Sequence, residues 1–392
     1  MPMNSATSRL ILRPYSEETV IWTARSALQE VGGKASLAFV FASEQYQPML
    51  PDFLELIQLH AHVPTLIGSS ASGLIGIDQE AEHSTGFSLL LLNLPETKIK
   101  VCELRAADVE SINSGKEWQQ ITGVRPHEVD AWFAMADPFG FAVEQWLAGW
   151  NEAYPGIPTI GGLSSTMAGQ GDEVFVMHDR EVLSPGAALV VGLKSGVQVR
   201  PVVSQGCRPI GEPLTVTNSD GNLVLGLGGK PAYAALAEAF ESLDDRDKAQ
   251  ARGNLFAGLA STEYVEEFKR GDFLIRTILG ADAGSGAVAL GALPRVGQTL
   301  QWQLRDRGSA DADLRELLRR EHSRWPQPFA SLVFACNGRG KDLFGTAHHD
   351  ARTLAATIGK IPSAGFFCNG EVGPVGNTSF VHGYTVSMAL FA

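Results

Sequence analysis

"IPSAGFFCNGEVG" (361–373) closes a pattern that the chain has already used twice. An apolar strand, "LVFACN" (332–337), precedes it, followed by a helix-length stretch, a branched residue, a proline, a small hydroxyl residue and a glycine-rich turn. The first copy runs from "LAFVFAS" (37–43) to "VPTLIGSSASG" (63–73), the second from "AWFAMAD" (131–137) to "IPTIGGLSST" (157–166). In those two copies Ala42 and Ala136 each stand 22 residues before the proline (64 − 42 and 158 − 136); in the third the interval is 27 (362 − 335). Repetition of a whole unit outweighs any single local signal. It predicts an α/β (mixed α+β) protein of repeated strand–helix–strand units with largely antiparallel sheets, in a pseudo-symmetric two-part assembly.

Strand pairs are expected around these units. "GFSLLLLNL" (86–94) with "IKVCEL" (99–104), "GAALVVGL" (186–193) with "GVQVRPVV" (196–203), and "GAVALGAL" (286–293) with "TLQWQLR" (299–305) each read as a hairpin. "GYTVSMALFA" (383–392) reads as an unpaired fourth. Apolar residues at helical spacing mark 141–153 and 312–324, and Pro231 suits the first turn of a helix over 230–240. The expected division is an N-terminal arm and lead-in over 1–35, with Asn4–Tyr15 mobile, one domain over 36–226 and another over 227–392. The turn "NSDGN" (218–222) marks the boundary.

Composition narrows the function. The 392 residues are 44% apolar and 19% charged, which suits a globular chain with a large core, and the net charge is 31 − 43 = −12. An acidic chain is a poor partner for nucleic acid or an anionic membrane surface. No leader is evident and no apolar run reaches the length of a spanning helix, so a cytoplasmic location is expected. Cys102, Cys207, Cys336 and Cys368 have no zinc spacing and read as thiols in a reducing compartment.

Strand ends that open into glycine turns are where α/β proteins hold ligands, because backbone N–H groups are available there. One residue past the aligned alanine stand Ser43, Asp137 and Cys336; six past the proline stand Ser70, Ser164 and Cys368. Small polar residues also suit tight packing, and turn chemistry explains Asn337-Gly and Asn369-Gly but not the two thiols. Arg339 and Glu371 each follow a cysteine by three residues. Facing one pocket, they would match the two ends of an α-amino acid; alternatively they pair with each other. "SQGCRPIGEPLTVT" (204–217) reads as a loop offering Cys207 and Arg208. "GLGGKP" (226–231) and "GADAGSGAVALGA" (280–292) lack the spacing of a phosphate loop. In "HHD" (348–350) Asp350 is placed to favour a helix N-terminus, and His382 reads as a lone histidine.

Together "LVFACNGRGKDLFG" (332–345), "IPSAGFFCNGEVGPVGNTSFVHGYTVSMALF" (361–391), "SQGCRPIGEPLTVT", "IPTIGGLSS" (157–165) and "GQTLQWQLRD" (297–306) closely resemble the FIST family of sensory domains, from about Ser36 onward. The resemblance implies N-terminal and C-terminal FIST parts in series and a small-ligand-binding module for signal transduction. Sensing of an amino acid or a related metabolite is what the resemblance implies, with haem binding discussed for some relatives; no cofactor is expected for this chain. No kinase-like or other output segment is recognised in the chain, so the signal is expected to pass to a separate protein. The expected ligand contacts are Cys336, Asn337, Arg339, Cys368, Asn369, Glu371, Cys207, Arg208, Ser70 and Ser164, with no catalytic or metal-binding residue assigned. Two alternatives stand beside this reading. One is a cofactor-independent amino-acid racemase with Cys336 and Cys368 as its two thiols. The other is a haem or metal sensor using His348, His382 or a cysteine.

Overall fold

The computed structural model describes residues 3–167, 173–324 and 327–392. Two compact units result: Met1–Val203, Leu314–Val381 and Thr385–Ala392 form the first, Ser204–Asp313 and His382–Tyr384 the second. In sequence, the second unit is therefore inserted between the second and third repeats. The expected boundary at 226/227 falls inside it.

The first repeat is entered through β1 (Ser5–Ile11) and the helix Glu17–Glu30. It consists of β2 (Leu37–Ser43), the helix Leu50–His60 and β3 (Leu66–Ala71), then a short arm, β4 (Gly73–Ile75) and β5 (Glu80–Glu82), then β6 (Phe87–Asn93) and β7 (Lys98–Arg105). The second repeat follows the same order: β8 (Ala131–Ala136), the helix Val143–Ala153, β9 (Thr159–Leu163), the arm β10 (Val176–His178) and β11 (Glu181–Val182), then β12 (Ala187–Lys194) and β13 (Val199–Gln205).

The second unit contains β14 (Cys207–Asp220), β15 (Leu223–Leu227), β16 (Lys230–Pro231), β17 (Leu255–Ala260), β18 (Phe273–Asp282), β19 (Ala287–Leu290) and β20 (Thr299–Arg305). Pairing runs β14–β20–β17–β18–β19–β15, and β15 pairs back onto β14. The antiparallel sheet thus closes on itself through β14 and β15, leaving only the two-residue β16 beside β15 at an edge. Val216, Val224, Ala257, Leu300 and Trp302 pack inside with Ala232, Ala235 and Leu236 of the helix Ala232–Glu241. "SQGCRPIGEPLTVT", expected as a loop, is mostly β14. "GLGGKP" is the tight β15–β16 connection, and 280–292 is the β18–β19 connection.

The third repeat is β21 (Ala330–Cys336), the helices Gly340–Phe344 and His349–Thr357, β22 (Ser363–Cys368), the arm β23 (Glu371–Val375) and β24 (Thr378–His382), and β25 (Thr385–Phe391). Three sheets of the same design result: β1-β6-β2-β3-β10-β11, β7-β12-β8-β9-β23-β24 and β13-β25-β21-β22-β4-β5. In each, the repeat's two main strands are parallel and a return strand (β6, β12 or β25) lies antiparallel beside the first. The arms are exchanged in a closed cycle. The first repeat's arm joins the third sheet, the second's joins the first, and the third's joins the second.

This exchange corrects the expected hairpins. β6 pairs with β1 and β2, whereas β7 pairs with β12; β12 and β13 part in the same way, and β19 and β20 are not neighbours. Strand character is local, but the choice of partner depends on burial. β6 is buried on both faces and lies between two strands, whereas β7 alternates and forms an edge. "GYTVSMALFA" is β25, the missing return strand of the third repeat, held between β21 and β13. Residues 5–11 are not a mobile arm: they form β1, in register with β6 from Ser5↔Asn93 to Ile11↔Phe87. The β6 edge not taken by β2 gives this polar segment backbone partners that its own pattern does not advertise.

The three sheets share a core. Leu37, Phe39 and Phe41, with Phe133, Met135 and Leu189, and with Leu332, Phe334 and Phe366, form one cluster. Phe41 stacks on Phe366 at 4.8 Å, and Phe133 on Phe391 at 5.5 Å. The intervening positions, such as Ala38 and Val40, face the helices of their own repeat. Burial of both faces explains why these strands read as unbroken apolar runs.

Candidate functional site

Ladder register fixes which positions of the three repeats correspond. Val40, Ala134 and Val333 pair with Gly68, Gly161 and Gly365. At each glycine an added Cβ would lie 1.9–2.0 Å from the partner's carbonyl oxygen, so the repeat requires glycine there. Counting three residues on places Ala71, Ser164 and Cys368 at equivalent posts. The proline count is therefore off by one in the first repeat, where Ala71 rather than Ser70 corresponds to Cys368. The strand before the proline is as expected: Ser43, Asp137 and Cys336 are equivalent.

The three second-strand ends meet in a ring of hydrogen bonds. Ser165 N–H donates to Ser70 O (3.3 Å), Asn369 N–H to Leu163 O (3.1 Å), and Ser72 Oγ–H to Phe367 O (3.2 Å). Each link joins the position four past the repeat glycine in one repeat to the position two past it in the next. Ser165 Oγ also donates to Phe367 O and accepts from Ser72 N–H (2.9 Å). Asn369 Nδ2 donates to Ser164 O (3.0 Å), and Ser69 and Ser164 share a hydroxyl contact of 2.8 Å. Ser72 and Ser165 were missed as site residues. The signal for them was the repeat itself, since both align with Asn369 once the glycines are matched.

The two Cys-Asn-Gly turns come together on this ring. Cys336 and Cys368 are register partners at the ends of β21 and β22. Asn337 Nδ2 donates to Asn369 Oδ1 (2.8 Å), and Asn337 Oδ1 accepts from Ser72 Oγ (2.6 Å). Both asparagines are exposed, Cys336 is partly so, and Cys368 is fully buried. Gly162 of β9 packs over Cys368; a Cβ there would lie 3.1 Å from its sulfur.

Arg339 and Glu371 are both fully buried rather than open to a ligand, and the ion pair that Arg339 makes is with Asp350, not with Glu371 as the alternative had it. Arg339 grips Asp350 with two bonds, Nε to Oδ2 (2.7 Å) and Nη2 to Oδ1 (2.9 Å), and its guanidinium lies 5.2 Å from the Phe344 ring centre. Burial alone would raise Asp350; the Arg339 fork overrides it and holds the carboxyl at about 2. Asp350 therefore serves the arginine more than its own helix terminus. Glu371 accepts from Cys368 Sγ (3.3 Å) and from Thr385 N–H (3.1 Å), with Cys336 on the same carboxyl. Burial pushes Glu371 up to about 8, against the pull of those hydrogen bonds and of Arg339. Burial, followed by Glu371, also pushes the Cys368 thiol well above its ordinary value.

The first repeat's arm completes this interior. Glu80 Oε1 accepts from Ala351 N–H (2.8 Å) and Glu82 Oε1 from Lys341 N–H (2.9 Å), so each satisfies an N-terminal donor of a third-repeat helix. Burial and then Asp350 push Glu80 up to about 7. Glu80 Oε2 and Arg339 Nη1 are buried without a hydrogen-bond partner. Sequence reading did not anticipate Glu80, because nothing local ties residue 80 to residue 351.

Other expected posts have structural duties. Ser43 Oγ accepts from Gly86 N–H (3.0 Å) and Asp137 Oδ2 from Gly186 N–H (2.7 Å), fixing the turn into each return strand. At the third repeat Glu371 takes the corresponding Thr385 N–H. Ser70 is buried and accepts from Phe175 N–H (3.1 Å). Cys207 and Arg208 belong to the second unit: Cys207 is buried with Phe256 and Ile275, and Arg208 pairs with Asp247. His348 Nδ1 accepts from Glu80 N–H (2.9 Å), His349 stacks on Phe344, and His382 is buried. No group of three metal-binding side chains occurs among the described residues, and no helix there is long and apolar enough to cross a membrane.

The racemase alternative needs two thiols on opposite sides of a substrate. Here they stand side by side on adjacent strands, one of them sealed from solvent.

Comparison with known proteins places these features. The FIST N domain matches residues 36–230 and the FIST C domain residues 232–374. An uncharacterised protein of Mycobacterium tuberculosis is 36% identical over 364 residues, covering 92% of each chain. Another, of Mycobacterium bovis, is 35% identical over 383 residues, covering 96% of each. Among solved structures, a cyanuric acid hydrolase aligns over 100% of both chains at 10% identity, with a TM-score of 0.34; one from A. caulinodans gives the same values over 99% of its length. At that score neither structure bears on the function.

Proposed function

The chain belongs to the FIST family of sensory domains, and from that premise we propose that it is a sensory module for an amino acid or similar metabolite, bound at the ring of strand ends. The observation that carries the reading is the pair Asn337 and Asn369. They are the exposed side chains of the two Cys-Asn-Gly turns, and they sit on a hydrogen-bond ring to which all three repeats contribute. Amides offer donors and acceptors without net charge, which suits both ends of a zwitterion.

Arg339 and Glu371 act from beneath in this reading. Their burial withdraws them from direct contact, and the Arg339–Asp350 pair and the protonated Glu371 set the polarity under the ring. Cys207 and Arg208 leave the set of proposed contacts, since the second unit gives each a packing or ion-pair role. Because the ring joins all three repeats, a ligand drawn onto it would bias all three at once. That is a means of passing a signal to a separate output protein.

A thermal-shift screen of the free amino acids and their simple derivatives tests this. A stabilising hit is expected with wild type, lost in Asn337→Ala and Asn369→Ala but kept in Arg208→Ala. A screen without any hit, or a hit indifferent to both asparagines, would sink the reading.

A further inference from the structure

We propose that Cys336 and Cys368 form a reversible disulfide when the protein meets a peroxide, so that the base of the ring is a two-electron redox site. The geometry is favourable on four counts. The two residues are direct register partners on parallel strands. Neighbouring strands lie about 4.8 Å apart, which falls within the ~4.4–6.8 Å Cα separation of disulfides. Being in register, both side chains leave the same face of the sheet. Both thiols also reach one carboxyl, that of Glu371.

Both cysteines end their strands, and each is followed by Asn-Gly, so the turns absorb the small convergence that a sulfur–sulfur bond requires. The other two cysteines have no such neighbour: Cys102 stands opposite Val190 and Cys207 opposite Arg305.

Exposure assigns the order of events. Cys336 is partly exposed and meets the oxidant; Cys368 is fully buried and resolves. The Cys336 sulfur attacks the peroxide, the O–O bond breaks, and an alcohol or water leaves with the thiol proton, giving a sulfenic acid. The Cys368 sulfur then attacks the Cys336 sulfur. Its proton passes through Glu371 to the departing hydroxide, which leaves as water as the S–S bond forms. Two thiols are oxidised by two electrons and one peroxide is reduced. Asn337 and Asn369 follow the two sulfurs directly, so the bond would pull on the amide contact at the ring. The inference does not rest on the small-ligand reading.

The test treats the full chain with hydrogen peroxide, then alkylates and digests it for mass spectrometry. A peptide joining Cys336 to Cys368, lighter by two hydrogen atoms and released by dithiothreitol, is expected. Cys102 and Cys207 should be recovered alkylated. Cys368→Ser should leave a dimedone-reactive sulfenic acid on Cys336, and Cys336→Ser should leave Cys368 unoxidised. Wild-type mapping decides the matter even if a variant fails to fold. Sulfinic acid on Cys336 without the linked peptide, or Cys102 oxidising first, would overturn the proposal.

Discussion

Replacing Glu371 with glutamine should change how the protein's stability depends on pH, and the structure gives both sign and size. Burial raises this carboxyl from an ordinary 4.5 to about 8. Between those values the folded protein keeps a proton that the unfolded chain has lost. The contribution is therefore fully present below pH 4.5, declines as pH rises, and is gone above about 8. At about 1.4 kcal/mol per pH unit, the window is worth on the order of 5 kcal/mol. Glu80, raised to about 7, adds a smaller decline of the same sign. Glutamine keeps the shape and an acceptor for Thr385 N–H but does not titrate. Tm measured from pH 5 to 9 should fall steeply in wild type and clearly less in Glu371→Gln, with the variant the more stable above pH 8. Parallel curves would show that Glu371 is ionised in the folded state, and that burial does not hold its proton.

Other consequences follow from the same contacts. Arg339→Met should cost about 3–5 kcal/mol in urea unfolding, because it strands the buried Asp350 charge; adding Asp350→Leu should recover much of the loss. Gly365→Ala should yield little folded protein on size exclusion, since its Cβ would meet the Val333 backbone at 1.9 Å. Ser72→Ala breaks the ring at one link and should cost about 1–2 kcal/mol by the same unfolding measurement. Arg208→Ala, a partly exposed pair with Asp247, should change stability by less than about 1 kcal/mol.

How much of this was legible in the sequence depends on the range of the interaction. The three repeats, their strand–helix–strand units and the meeting of the two Cys-Asn-Gly turns follow from local patterns repeated along the chain. Partner choice does not. β6 and β7 look like a hairpin, and only the burial of both faces of β6 separates them. The arm exchange was invisible for the same reason, and with it Glu80, whose helix-terminal partner lies 271 residues away. The one-residue offset between Ser70 and Ala71 arises because the proline lies outside the ladder, whereas the ladder constrains the glycine. Arg339 looks like a ligand group in the sequence because its neighbours there say nothing of Asp350 beneath it.

The most direct measurement is the side-chain amide spectrum of protein labelled with 15N at asparagine, recorded as the stabilising amino acid from the screen is added. Binding at the ring predicts that the Asn337 and Asn369 amides shift together in a saturable way, while Asn218 and Asn222 of the second unit stay in place. Saturable binding that leaves both ring amides unmoved would contradict the account.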